Sequence, residues 1–510
     1  RIEDRTVAEA VALDPGETRE VLLRPDDHPE LLIEQPRIWW PNPLGPQELY
    51  DCALEFVVDG ATSDSGACRF GIRHITTRIN EEDWRVYEVN GRNLLVRGGA
   101  WMTSDMLLNL SERRYAGLVR YAREANLNML RSEGFSIRET ETFYNLCDEL
   151  GVLVTQQIFG RSIPREDIAI ACIEDMLLRI RTHPSLAPLL GHDETFPTDT
   201  LDAAYRRMIE TYRLNRTYQP HSGAFNILDR DETGGTRTGT RELWTYAGPS
   251  HYYHIRNYGA WGFAQSGGIG GIAAPKDSLK QMMPEGAWWP PLKTEAWSFH
   301  SVIQGGDYFA AVTDAMNAKY GAPEDLDAFY RRIYAMNYNS ARGMYEAYAR
   351  NKYESTGITT WKYNAAWPAA MTWQYVDWYL RPTAAYYGAK KACEALHIQY
   401  AYDDEGVYVL NTLNDTFHGL NARATLHAFD GSVLESWEKT VEVGSDGKAL
   451  AFKVERPEDL DPTHFLRLTL DNAAGGRVSE NVYWLSTTPD IPGSSGYKLD
   501  RRFYTSPISQ

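Results

Sequence analysis

The sequence predicts a multidomain α/β and β protein in which a (β/α)8 TIM barrel lies between two β-sandwich domains. A chain of 510 residues is too long for one hydrophobic core, and ordinary domain sizes imply about three domains. Residues 80–392 alternate short apolar runs with helix-periodic segments, which indicates a parallel sheet covered by helices. Residues 1–79 and 393–488 show short alternating strands, and residues 489–510 have the Gly, Ser and Pro content of a linker or tail.

Turn chemistry supports the two predicted sandwiches. The strand-like runs lie at 21–23, 31–33 and 52–58 in the first region and at 407–410 and 465–470 in the second. The Asp59-Gly60 dipeptide is typical of a two-residue hairpin turn.

The barrel prediction depends on strands that are each followed by a helix-periodic segment. Four strands are expected at 94–98, 128–133, 152–156 and 186–190, and helices at 111–125, 139–150 and 165–181 follow the first three. Four later strands are expected at 218–221, 245–249, 262–266 and 359–363. Ser111 is the expected N-cap of the first helix. Reacting groups of such barrels sit at the carboxyl ends of the strands, so the residues that close each run are the candidates.

The fourth strand is followed by two carboxylates. Its apolar run ends at Gly191, and Asp193 and Glu194 come after His192. This pattern fits a buried parallel strand that opens into an active site. The alternative is that both carboxylates cap the next helix, because acidic side chains are favoured at helix N-termini. The spacing alone leaves both interpretations open.

A family resemblance favours the active-site interpretation. His183-Pro184-Ser185 followed by a strand that ends in Gly-x-Asp resembles the acid/base strand of glycoside hydrolase family 2, in its exo-β-D-glucosaminidase branch. The resemblance implies hydrolysis of β-linked sugars from the non-reducing end, most readily β-D-glucosaminides. It assigns the general acid/base role to Asp193, and a shift of one residue in the alignment gives that role to Glu194.

The resemblance extends over nearly the whole chain. Trp39-Trp40-Pro41-Asn42-Pro43 and Phe70-Gly71-Ile72-Arg73 resemble the immunoglobulin-like second domain of the family, and residues 393–488 resemble the sandwich after its barrel. Family members carry a jelly-roll domain ahead of these domains. This sequence does not contain that domain, so it is an expected partner, and a start inside a strand-rich segment indicates a trimmed product.

Two further carboxylates close the first two strands. The loop from Trp101 leads to Asp105, and the second strand closes with Glu133. Each one alone is more readily explained as a salt-bridge partner of a nearby Arg. The resemblance implies that together they hold a substrate 2-ammonium group, which needs anionic acceptors.

Aromatic residues are candidates for the sugar-binding wall. The chain has 15 Trp and 31 Tyr, and flat rings with a polar edge commonly hold sugars, although core packing explains most of them. The candidate substrate-binding residues are Trp101, His192, Tyr246, His251, Tyr252, Trp361, Asn364 and Trp367, together with Asp105 and Glu133. For the group from Tyr246 to Tyr252, ordinary loop packing is an equal alternative.

The seventh strand lacks the expected nucleophile. The family has Ser-Glu there, followed by a Gly-rich turn and Pro. Counting back from Pro275 aligns Gly267 with that Glu, and counting forward from Trp261 aligns Ser266. Three explanations remain: an engineered variant, a natural homologue with inverting or eliminating chemistry, and a carbohydrate-binding protein without turnover. If the chemistry is altered, the candidate partners of Asp193 and Glu194 are His192, Glu242, Tyr246 and Glu295.

Composition limits the class of partner. A net charge of −17 argues against a nucleic-acid or anionic-membrane surface, and no apolar run is long enough to span a bilayer. We predict no cofactor and no essential metal, because no CxxC or His-x-x-x-His spacing occurs. Of the five cysteines, only Cys52 and Cys68 are close enough to make a pair plausible. The sequence does not indicate a compartment.

Overall fold

The computed structural model describes residues 1–487, apart from 83, 162, 194, 223–245, 257, 302–306 and 458–459. The strands are β1 (Tyr50–Val58), β2 (Ala61–Phe70), β3 (Ile75–Ile79), β4 (Arg85–Val89), β5 (Arg92–Leu94), β6 (Val96–Trp101), β7 (Met129–Ser132), β8 (Leu153–Phe159), β9 (Leu186–His192), β10 (Tyr218–His221), β11 (Gly262–Ala264), β12 (Ile272–Ala273), β13 (Ser355–Thr360), β14 (Met371–Thr372), β15 (Leu396–Tyr400), β16 (Gly406–Asn411), β17 (Phe417–His427), β18 (Val433–Val443), β19 (Lys448–Lys453), β20 (Thr463–Asp471) and β21 (Arg477–Ser486). The helices are α1 (Glu112–Glu124), α2 (Glu141–Leu150), α3 (Glu166–Ile180), α4 (Asp199–Thr211), α5 (His251–His254), α6 (Lys276–Met282), α7 (Glu295–His300), α8 (Asp307–Tyr320), α9 (Leu326–Arg350) and α10 (Ala384–Ala392).

A curled sheet of seven parallel strands forms the centre of the molecule. Its order is β10-β9-β8-β7-β6-β13-β11, so the first and last barrel strands are neighbours. The predicted alternation of strands and helices is therefore confirmed, with small shifts: the first strand is β6 rather than 94–98, and the last is β13 rather than 359–363. The described residues form this half-barrel and not a complete eight-stranded ring.

The strand predicted over residues 245–249 is wrong for its described part. Residues 246–249 are not a strand. The carbonyl of Ala247 accepts a hydrogen bond from Ser340 Oγ on α9 at 2.6 Å, and Pro249 packs against Gly343 of the same helix. Pro has no backbone N–H to donate to a sheet. This segment therefore packs on a helix instead of joining the sheet.

Helix caps decide one alternative left open by the sequence. Ser111 caps α1 as predicted, because its side chain accepts from the Arg114 amide. The cap of α4 is Thr198, whose hydroxyl accepts from the Leu201 amide. Asp193 therefore does not cap the helix that follows β9.

The N-terminal region is simpler than predicted. Strands β1 and β2 form one antiparallel hairpin, and Asp59 and Gly60 at its turn have φ of 51° and 79°, as a two-residue hairpin turn requires. Neither 21–23 nor 31–33 is a strand, and Leu22 and Leu32 are 54% and 61% exposed, so they have no sheet to pack against. The two packed sheets predicted for 1–79 are therefore wrong: the strands described within that range are the two of the hairpin and β3, which pairs with β4.

The C-terminal sandwich is confirmed. One sheet has the order β15-β16-β19 and the other β18-β17-β20-β21. Buried and exposed residues alternate along β17 and β21, which gives the four-stranded sheet one apolar inner face. The predicted runs at 407–410 and 465–470 fall within β16 and β20.

Candidate active site

Polar side chains from six different strands converge at the carboxyl edge of the parallel sheet. Each lies at or just beyond the end of its strand: Glu133 after β7, Gln157 in β8, Asp193 after β9, Ser222 after β10, Ser266 after β11 and Lys362 after β13. We call these residues, with Arg131 and Arg161, the strand-end cluster. This is the edge at which barrel enzymes build their sites.

Asp193 is held by two donors and one cation. Gln157 Nε2 and Ser222 Oγ donate to its Oδ1 at 3.4 and 3.1 Å. Arg161 Nε lies 3.6 Å from its Oδ2. The Asp193 side chain remains 15% exposed, so this fixed carboxylate is open to a ligand.

Glu133 belongs to a buried network of opposite charges. Arg131 donates to its Oε1 at 2.6 Å, and Lys362 Nζ donates to its Oε2. Burial raises the pKa of Glu133, but the charges of Lys362 and Arg131 outweigh burial and hold that pKa below its ordinary value. Burial lowers the pKa of Lys362 below its ordinary value, although the negative charge of Glu133 acts in the opposite direction.

Arg131 and Gln157 connect the two carboxylates. Arg131 Nη1 donates to Gln157 Oε1 at 3.4 Å, and its Nη2 donates to Ser266 Oγ at 3.2 Å. Because Gln157 also donates to Asp193, a continuous chain of polar contacts runs from Glu133 to Asp193. A substitution that moves one of the two carboxylates should therefore shift the position of the other.

Two glycines permit this close approach of the strand ends. A Cβ at Gly134 would lie 1.9 Å from the carbonyl oxygen of Phe159, and one at Gly191 would lie 1.9 Å from that of Pro220. Both glycines adjoin the segments that carry the carboxylates. The Gly residues in these two strand endings are thus required by packing between neighbouring strands.

Known families match both ends of the chain. A family model described as glycosyl hydrolases family 2 matches residues 3–73, and one described as a mannosidase Ig/CBM-like domain matches residues 406–488. An exo-β-D-glucosaminidase of Streptomyces avermitilis is 31% identical over 94% of this chain and 55% of its own length. The one from Amycolatopsis orientalis is 30% identical over 95% of this chain and 48% of its own length.

A solved structure agrees with these relatives. The exo-chitosanase of Amycolatopsis orientalis superposes with a TM-score of 0.82 at 30% identity, over 90% of this chain and 56% of that one. The chain is related to glycoside hydrolase family 2. It spans about half the length of the relatives it matches.

The His-Pro-Ser segment of this chain, residues 183–185, holds the start of β9 in place. It precedes β9, at the amino edge of the sheet, opposite to the strand-end cluster. His183 Nδ1 lies 2.6 Å from Asp148 Oδ2, and the Ser185 amide donates to Asp148 Oδ1 at 2.9 Å. These contacts anchor the start of β9 to α2 and so fix where its other end delivers Asp193.

Several predicted substrate-binding residues contact the protein interior. Trp101 is fully buried, with its Nε1 donating to Glu139 at 2.9 Å, and His192 packs between Phe159 and Tyr205. Trp101 contacts Tyr115 of α1 and His192 contacts Tyr205 of α4, so alternation along the strand turns both rings toward the helix layer.

The aromatic group after the fifth strand is also buried. Tyr246 donates to Met336 Sδ at 3.6 Å, and Tyr252 belongs to the main hydrophobic core. His251 Nε2 lies 3.1 Å from the Tyr258 carbonyl, and burial lowers its pKa to about 4. These contacts are those of ordinary packing, which was the alternative given for this group in the sequence analysis.

The residues after β13 lie nearer to the cluster. Trp361 donates its amide to the Gly267 carbonyl at 2.8 Å, which brings Gly267 beside the segment that carries Lys362. Asn364 bonds both backbone polar groups of Met102, at 3.0 and 2.9 Å, and so joins the loops after β6 and β13. Trp367 stacks on His300 with ring centroids 5.6 Å apart.

Asp105, which the sequence analysis placed with Glu133 at one rim of the pocket, has contacts of its own. Its carboxylate accepts from the Leu107 amide at 2.8 Å and lies near the Arg114 guanidinium. Glu295 is exposed at the start of α7. Glu194 and Glu242 lie outside the described residues.

Sequence reasoning missed the groups that hold the carboxylates in place. Arg131, Gln157, Arg161, Ser222 and Lys362 were not assigned to the site, although each closes or follows a predicted strand. Their strand-end position was the available signal. Among the described residues, no group of three or more His, Cys, Asp or Glu side chains could hold a metal, and no helix could cross a membrane.

Proposed function

We propose that this chain carries the site of a glycosidase that acts on the non-reducing end of a β-linked sugar, with Asp193 as its proton donor. The observation that carries the proposal is the position of Asp193: it closes β9, keeps 15% of its side chain exposed and is fixed by Gln157 and Ser222. A proton donor must be held in place and must also be reachable by the substrate.

The chemistry requires a proton for the departing oxygen, and binding requires hydrogen-bond donors and acceptors for the sugar hydroxyls. Asp193 gives its proton to the glycosidic oxygen as the bond to the anomeric carbon breaks, and a water molecule adds to that carbon from the opposite face and releases its proton to a second base or to solvent. Arg131, Glu133 and Lys362 offer donors and acceptors for the sugar hydroxyls, since each ends at the same edge of the sheet. The relatives' names support β-D-glucosaminides as the first substrates to test.

A second candidate is a carbohydrate-binding protein without turnover. Neither Ser266 nor Gly267 provides a carboxylate at the position where the family resemblance expects a nucleophile. Ser266 instead accepts a hydrogen bond from Arg131, next to Glu133. Such a site keeps the means to bind a sugar and lacks one reacting group.

Turnover measured on aryl β-glycosides separates these candidates. The panel contains the 4-nitrophenyl β-glucosaminide, β-N-acetylglucosaminide, β-glucoside and β-mannoside, and calorimetry measures binding of the same compounds. A glycosidase releases nitrophenol in a reaction that Asp193→Asn abolishes. Binding without release supports the second candidate, and the absence of both rejects the proposal.

A further inference from the structure

The strand-end cluster contains an ammonium group of its own. Lys362 Nζ donates to Glu133, lies 3.1 Å from Met102 Sδ and sits 4.3 Å from the centroid of the Trp361 ring. Its side chain is 15% exposed, and that of Glu133 is 6% exposed. A carboxylate, a thioether and an aromatic face are the surroundings that a protein offers to a bound cation.

The neighbouring charges leave no acidic side chain of the cluster without a cation. Glu133 faces both Arg131 and Lys362, and Asp193 faces Arg161 at 3.6 Å. Three cations therefore accompany the two described carboxylates of the cluster. Protonation of Asp193 for acid catalysis would leave the balance still more positive.

Asp105 already has partners of its own. Its Oδ1 already accepts from the Leu107 amide, and the Arg114 cation lies near its carboxylate. A second ammonium beside Lys362 would meet a like charge at short range, where burial strengthens the repulsion. A substrate ammonium that displaced Lys362 from Glu133 would leave the lysine charge without its anionic partner.

We propose that Lys362 takes the place of a substrate ammonium, so that the sugar bound here presents a hydroxyl, and not a protonated amine, toward Glu133 and Lys362. This inference rests on the proposed function and narrows its substrate class to 2-hydroxy β-glycosides. Lys362 donates to the sugar oxygen, while Glu133 accepts from the hydroxyl and remains paired. The relatives' names favour the opposite choice, and the position of Lys362 beside Glu133 is the observation that argues against it here.

Two ligands that differ only at C2 test the inference. Calorimetry compares 4-nitrophenyl β-D-glucoside with 4-nitrophenyl β-D-glucosaminide, at a pH where the sugar amine is protonated. The unaltered chain should bind the glucoside at least tenfold more tightly. Lys362→Met keeps most of the length of the side chain and removes its charge, so it should reverse the preference by releasing Glu133 Oε2 for the amine.

Three matched variants control this result. Lys362→Arg keeps the cation and should keep the glucoside preference. Lys362→Met combined with Glu133→Gln should lose the gain for the glucosaminide, which a general packing defect would not do. If Lys362→Met does not fold, Lys362→Gln replaces it.

The outcomes distinguish a failure of this inference from a failure of the proposed function. A glucosaminide that binds the unaltered chain as tightly as the glucoside, or an affinity ratio that Lys362→Met leaves unchanged, overturns the inference while the proposed function stands. If no glycoside of the set binds, the proposed function fails and the inference fails with it.

Discussion

The strand-end cluster and the junction between the barrel and the C-terminal sandwich both bury charges, but they treat them differently. At the junction, Glu346 of α9 accepts through one oxygen from His397 at 3.0 Å, from Asn481 at 2.7 Å and from Tyr483 at 2.8 Å. Arg342 is also buried there, over the ring of Tyr483 at 4.1 Å. These contacts link α9 of the barrel to the C-terminal sandwich.

Two charged groups of the strand-end cluster remain partly accessible to a ligand. Asp193 and Lys362 are each 15% exposed, whereas His397 and Glu346 are about 1% and 0% exposed. The bonds to Asp193 are also longer, at 3.1 to 3.4 Å. A buried charge is therefore not by itself a sign of function. Its position at strand ends and its remaining access are what distinguish a site.

The largest expected effect is the loss of turnover in Asp193→Asn. General acid catalysis contributes roughly 10²- to 10⁴-fold to the rate, so kcat/KM on aryl β-glycosides should fall by about that factor. The loss should be greatest for poor leaving groups, since a good one departs without a proton. A series of substituted phenyl glycosides measures this dependence.

Glu194→Gln is the matched control for Asp193→Asn. It changes the adjacent carboxylate in the same way and should leave the rate within a few-fold. A crippled Glu194→Gln beside an active Asp193→Asn would show that the assignment is wrong by one residue.

Gly267 supplies the next comparison, because a retaining enzyme needs a second carboxylate about 5 to 5.5 Å from the acid. The unaltered chain should give no sugar product of retained configuration on its own, and added azide or formate should rescue bond cleavage. Gly267→Glu should restore hydrolysis with retention. Proton NMR of the first-formed anomer measures both. A retained product from the unaltered chain without added anion would contradict this expectation, and harm from Gly267→Glu would indicate an inverting or eliminating mechanism.

The sequence predicted the strands and helices of the half-barrel well because both carry clear periodicity. Strand β10 lies at the predicted residues, and Ser111 caps α1 as expected. The side-chain partners were harder to predict, since they depend on which strands adjoin. Nothing local shows that Lys362 reaches Glu133, 229 positions away in sequence. Trp101 and His192 were assigned to the site from their place in the loop, whereas strand alternation turns them toward the helices.

The junction should lose stability, and not binding, when its central carboxylate is removed. Glu346→Gln leaves His397 and Arg342 without their buried anion, and breaking a buried pair typically costs about 3 to 5 kcal/mol. Chemical denaturation measures the loss, and calorimetry of sugar binding below the midpoint is the control. An equal loss of sugar affinity would show that the two clusters are coupled.

The pH dependence of stability should also come from the junction. Burial lowers the pKa of His397, but Glu346 and Glu394 outweigh burial and raise it. A raised folded pKa means that this contribution is complete below the unfolded value of about 6.5 and is lost as pH rises through the folded pKa. Denaturation midpoints should fall on the alkaline side, and Glu346→Gln should flatten that fall. An unchanged alkaline slope would exclude His397 as its source.

The smallest expected effect distinguishes helix capping from proton donation as the role of Asp193. Thr198→Ala removes the observed cap of α4 and should cost about 1 kcal/mol of unfolding free energy, with little change in turnover. Asp193→Asn should do the reverse, since the amide keeps the side chain's shape and no helix amide depends on it. Denaturation and kcat/KM measured on both variants give a crossed result if this assignment is right. A stability loss in Asp193→Asn equal to that of Thr198→Ala would instead return Asp193 to a structural role.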